Sequence, residues 1–129
     1  MEPLTSQQST AVAQSVLVYA TFPTAAAAEI VAETVVKEGL AACANIIPGL
    51  LSIYIWEGQL AREHEVAMLM KTRRELADRV MARARALHPY TNPALLVLPL
   101  IGGSADFLAW IEQQTMAPTD VSSASARGA

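Results

Sequence analysis

The chain has 129 residues, 53% of them hydrophobic and 16% charged, and a net charge of -3. That length suits a single domain. The acidic balance and the lack of a basic run exclude a face that tracks nucleic-acid phosphates, and no apolar run nears the ~20 residues that span a bilayer.

Residues 1–14 and 117–129 are small and polar, with almost nothing to bury. They are expected to be flexible tails around a folded domain of residues 15–116. The opening MEPLTSQQSTAVAQ has no basic start and no continuous apolar segment, so it does not read as a signal peptide. Cys43 is the lone cysteine and has no intrachain partner. These features together predict a cytoplasmic protein.

Val16 to Phe22 reads as a first strand, closed by Pro23. Thr24 is placed to cap a helix whose stripe is Ile30, Val31, Thr34 and Val35, and Gly39 is placed to end it. The stretch ACANIIPGLLSIYIWEGQLAREHEVAMLMKT, from Ala42 to Thr72, then predicts two long strands joined at Glu57-Gly58-Gln59. Pro48-Gly49 marks a bulge or bend in the first of them, because proline gives the ladder no donor. Side chains alternate along a strand. Leu51, Ile53 and Ile55 therefore oppose Tyr54 and Trp56, while Val66, Met68 and Met70 oppose Ala67 and Leu69. Both faces of this hairpin are apolar, and one helix layer covers only one of them. A second copy of the chain is the expected cover for the other.

Thr72-Arg73-Arg74-Glu75 has the spacing of a capping box that opens a second helix. Leu76, Val80, Ala84 and Leu87 form its buried stripe, Arg79 and Arg83 face solvent, and His88-Pro89 ends it. Ala94 to Ile101 is a last strand, and Ser104 to Gln114 a short third helix carrying Phe107, Leu108 and Ile111. The order βαββαβ plus a helix predicts an α+β, ferredoxin-like sandwich with a C-terminal helix and a long β-hairpin.

Few residues stand out for chemistry. The imidazole of His88 and the phenol of Tyr90 suit a metal ion or proton transfer, although capping of the last helical carbonyls by His88 is the plainer role. His64 sits between Glu63 and Glu65 but points to the other side of its strand, so it reads as exposed. One cysteine and two histidines cannot fill a tetrahedral Cys/His shell. A metal would therefore need carboxylates, or ligands from several chains. Glu57 and Lys71 flank the apolar centre of the hairpin as solvated ends, an ion pair, or the charged rim of a cleft. Arg73 and Arg74 lie near a helix start, where an anion is a conceivable ligand. No nucleophile elbow, Walker loop, GxGxxG or HExxH is present, so an enzyme is not expected.

VYATFP, AACANIIPG, SIYIWEG, EVAMLMKT, HPY and LAWI, in that order between Val16 and Ile111, together resemble the CutA divalent-cation-tolerance family. The resemblance implies a ferredoxin-like homotrimer whose hairpins pack about the threefold axis, a role in tolerance of copper and other divalent metals, and no required cofactor. It assigns Cys43, Asn45, Tyr54, Trp56, Glu57, Glu65, Lys71, His88 and Tyr90 to the family's characteristic positions. His88, Tyr90 and Cys43 become the candidate metal ligands, and Tyr54, Trp56, Glu57, Glu65 and Lys71 the candidate cleft between subunits. Thr91 and Ala94 stand where the family usually has acidic residues, so two oxygen ligands are missing and only weak copper or zinc binding is expected. The rival reading is a PII-like trimeric sensor with a small anion between subunits, held by Lys71, Arg73 or Arg74. The short Glu57-Gly58-Gln59 link leaves no room for the signalling loop of such a sensor.

Overall fold

The computed structural model describes residues 14–117. Among them four strands and three helices follow in the order β1 (Ser15–Phe22), α1 (Ala25–Lys37), β2 (Cys43–Trp56), β3 (Gln59–Arg73), α2 (Ala77–Leu87), β4 (Leu95–Pro99) and α3 (Ala105–Gln114), with one 3-10 turn at Arg74–Leu76. The strands form one antiparallel sheet in the order β2-β3-β1-β4, the expected ferredoxin-like α+β arrangement. The expected tails lie almost wholly outside the described residues. Gln14 is described, and its carbonyl accepts the Arg74 N–H at 2.8 Å.

The core lies between the sheet and the pair α1 and α2. Val16, Val18, Ala20 and Phe22 from β1 meet Met68 and Met70 from β3, Ala28, Val31 and Val35 from α1, and Val80 and Ala84 from α2. Thr24 caps α1 as expected, its Oγ1 accepting the Ala27 N–H at 3.1 Å. Ile30 does not join the buried stripe. It is 58% exposed, because Ala28, Val31 and Val35 define the inward face.

Thr72 is not a helix cap. β3 runs on to Arg73, and the buried Thr72 hydroxyl donates to the Leu40 carbonyl at 2.5 Å, tying the strand to the segment after α1. The helical turns that follow have no side-chain cap. β4 is shorter than expected, and it stops at Pro99, which has no N–H for the ladder.

The long hairpin has two halves of different character. Phe22 pairs with Val66, so β1 ends there and the segment from Leu50 to Glu65 continues as a two-stranded ribbon. The bulge sits where the sequence put it. Ile47 pairs with Ala67 but Leu50 pairs with Glu65, so Pro48 and Gly49 together oppose one residue. One extra residue reverses the alternation. Odd positions of β2 up to Ile47, and even positions from Leu50, therefore share one side of the sheet. The turn is Glu57-Gly58, with φ of +50° and +80°, the left-handed pair that matches strand twist in a two-residue hairpin.

The second face of the sheet is covered in part by the chain itself. Lys71 and Arg73 alternate with the buried Met70 and Thr72 and so point away from α1 and α2, yet both meet α3 or the residue after it. The Lys71 Nζ lies 5.9 Å from the Phe107 ring centroid, and Arg73 Nε donates to Thr115 Oγ1 at 2.9 Å. Ile111 of α3 is fully buried. The ribbon is left uncovered on both sides. Ile53, Ile55 and Leu60 expose themselves on one face, Tyr54 and Trp56 on the other; Ile55, Trp56 and Leu60 are 65%, 64% and 66% accessible.

Candidate functional site

The register puts Cys43, Asn45, Tyr54, Trp56, Glu65 and Lys71 on one side of the sheet, the side turned from α1 and α2. The bulge is what unites them. Without its extra residue, Tyr54 and Trp56 would point opposite to Cys43 and Asn45. Within one chain they nonetheless form two groups. Glu65 and Lys71 are six residues apart on β3, roughly 20 Å at the rise of an extended strand. Glu57, in the turn, is farther still from Lys71, so the two make no ion pair.

The first group surrounds Lys71. Its ammonium donates to Asn45 Oδ1, stands 3.7 Å from Cys43 Sγ and lies over Phe107. The pairing Cys43↔Lys71 and the bulge two pairs beyond Asn45↔Leu69 fix this geometry. The half-buried thiol and a lysine make a small polar niche between β2, β3 and α3.

The second group lies where β1 ends. The His88 imidazole is 9% exposed and stacks on Phe22 with ring centroids 4.4 Å apart. The Tyr90 N–H donates to His88 Nδ1 at 3.0 Å, so that nitrogen carries no proton. Nε2 lies 2.7 Å from the Thr21 carbonyl and must carry the proton that this acceptor receives. The expected capping of helical carbonyls by His88 is not what the side chain does. The Tyr90 phenol donates to Glu65 Oε2 at 2.9 Å, and the Ser52 hydroxyl donates to Glu65 Oε1 at 2.6 Å. Desolvation and the Glu65 carboxylate, with smaller contributions from Tyr54 and Glu63, push the phenol up to about 12. Sequence reasoning missed Ser52 and Phe22. The Leu50↔Glu65 pairing beside Ser52 depends on the bulge register, and no spacing rule exposes it.

These donors do not make a metal shell within one chain. No group of three or more His, Cys, Asp or Glu side chains comes together among the described residues. His88 has both ring nitrogens engaged, Glu65 has both oxygens engaged, and Thr91 and Ala94 offer no carboxylate in the exposed loop that follows. Cys43 pairs with Lys71, which pairs with Leu17, four residues along β1 from Thr21 and about 13 Å from the His88 end. The structure therefore does not bring Cys43 to His88 and Tyr90. No helix of the described residues is long and apolar enough to cross a membrane.

Comparison with known proteins supplies the family. The family described as CutA1 divalent ion tolerance protein matches residues 16–114. The divalent-cation tolerance protein CutA of Escherichia coli is 44% identical over 97 residues, which cover 75% of this chain and 87% of that one. The crystal structure of CutA1 from Shewanella sp. SIB1 superposes with a TM-score of 0.80 at 30% identity, covering 83% of this chain and all of that one. The structure of a periplasmic divalent cation tolerance protein CutA from Archaeoglobus fulgidus gives a TM-score of 0.75 at 36% identity, covering 78% and 97%. Fold, element order and the match over residues 16–114 agree: the chain belongs to the CutA1 divalent ion tolerance protein family.

Proposed function

We propose that this chain works as a homotrimer in divalent-cation tolerance, in the cytoplasm, by binding an ion or a partner and without catalysing a reaction. The observation that carries this reading is the ribbon from Leu50 to Glu65. It displays apolar side chains on both faces, and neither helix layer reaches it. Each such side chain contributes roughly 1.5–3 kcal/mol when fully buried, so a second and third copy have ample reason to cover them. Assembly also supplies what one chain lacks. The Lys71 group and the Glu65 group are distant within a subunit, and a neighbouring hairpin laid across the same face would bring one beside the other.

Copper and zinc are the favoured cargo, bound weakly and through donors from more than one chain, because a thiolate such as that of Cys43 suits these ions better than it suits magnesium or calcium. The isolated thiol of Cys43 accords with a reducing compartment. Among the described residues no activated nucleophile or pair of facing carboxylates supports acid–base chemistry. A thermal-shift panel of divalent metals and nucleotides tests the reading. Stabilisation by copper or zinc alone is expected. Stabilisation by nucleotides alone would replace it with an anion sensor.

A further inference from the structure

We propose that the segment His88 to Tyr90 is a latch that fastens the hairpin to the end of β1, and that divalent cations are not held by His88. The ring's lone pairs decide what it can hold. A neutral imidazole offers a metal only its unprotonated nitrogen. Here that nitrogen is Nδ1, and it already accepts the Tyr90 N–H at 3.0 Å. The protonated Nε2 is directed at the Thr21 carbonyl, 2.7 Å away, in a buried position against Phe22. A cation at Nδ1 would strand the Tyr90 N–H, and one at Nε2 would strand the Thr21 carbonyl. Either loss costs an unmade hydrogen bond in partly or fully buried surroundings.

The same contacts form a continuous tie. Thr21 is the last but one residue of β1, and it holds His88. His88 fixes the backbone of Tyr90, Tyr90 holds Glu65 on β3, and Glu65 holds Ser52 on β2. Glu65 is the first residue of the hairpin beyond the reach of β1. The latch therefore grips the ribbon at its base, where β1 ends and the sheet narrows to two strands. His88 acts through Tyr90 and Glu65 and is a positioning residue. This inference bears on the proposed metal handling by removing His88 from any ligand set, and it stands whether or not the chain is a trimer.

Nitrogen-15 NMR of the wild-type imidazoles, with zinc chloride as the probe, tests it. The expected result is an Nε2–H tautomer at His88 whose ring shifts stay fixed under excess zinc, with the exposed His64 reporting any adventitious binding. Saturable movement of the His88 ring signals, or an Nδ1–H tautomer, would overturn it. The tie has its own readout. Tyr90→Phe and Glu65→Gln keep the shape of each side chain, and each should speed amide exchange at Ser52 and across the base of the ribbon by about fivefold to tenfold, the scale of one net hydrogen bond at a partly exposed site. Exchange there at the wild-type rate would overturn the latch. Light scattering reads the oligomeric state separately, so failure of the trimer and failure of the latch are distinguishable.

Discussion

Gly39 and Met116 are in contact so close that a Cβ on the glycine would stand 2.9 Å from Met116 Cγ. The same pair is joined along the backbone, where the Met116 N–H donates to the Gly39 carbonyl at 2.8 Å. Gly39 also has a φ of +74°, which an L side chain adopts only at a cost. The residue that ends α1 thus seats the segment that follows α3.

Gly39→Ala should accordingly destabilise the fold by about 2 kcal/mol or more, from a strained backbone plus an overpacked contact. Met116→Ala in the same chain should recover the packing part and leave the backbone part. Denaturation of both single variants and the double variant at one protein concentration checks this. An additive double variant would mean that the two residues do not share the contact.

The hairpin turn makes a prediction of opposite sign. Glu57 holds a φ of +50°, uncommon for a residue with a long side chain, and Gly58 follows at +80°. Asn-Gly is the favoured pair for a turn with both residues left-handed. Glu57→Asn should therefore stabilise the protein by up to about 1 kcal/mol, and Gly58→Val should destabilise it by about 1–2 kcal/mol. Melting temperatures of the two variants should bracket that of wild type.

The Tyr90 phenol titrates near 12 in the folded chain, above the ordinary 10, chiefly because burial and then Glu65 favour its neutral form. The folded state therefore keeps a proton that the unfolded state gives up. This contribution is fully present below pH 10 and is lost as pH rises from 10 to about 12. Phenolate absorbance should show a step near pH 12, and Tyr90→Phe should remove that step. Glu65→Gln should bring it nearer to 10. The ring is over a third exposed, so solvent screening keeps the effect on stability small.

Much of this was legible in the chain. Strand and helix periods, Thr24 as a cap, Gly39 as a stop and Pro48-Gly49 as a bulge are local signals, and each reflects a constraint on one or two residues. Thr72 misled because a Ser/Thr hydroxyl followed three residues later by glutamate also arises at the end of a strand. Its partner, the Leu40 carbonyl, is 32 residues away, and only the packed fold reveals it. His88 was recognisable as special. Its hydrogen bonds to Thr21 and Tyr90, which decide what it can do, are a property of how α2 ends against β1. Cover of the second face by the chain's own last helix was not foreseen, because the contacts of Phe107 and Thr115 with Lys71 and Arg73 are long-range. α3 takes the part near Lys71 and Arg73, and the ribbon remains open.

Light scattering over a concentration series tests assembly through that ribbon most directly. Wild type should hold a mass three times the 13.8 kDa of the chain down to micromolar concentration. Ile53→Glu combined with Leu60→Glu, which places charges on an exposed ribbon face away from the core, should give a folded single chain with its core spectrum intact. A monomeric wild type, or a trimer indifferent to both charges, would contradict assembly through the hairpin.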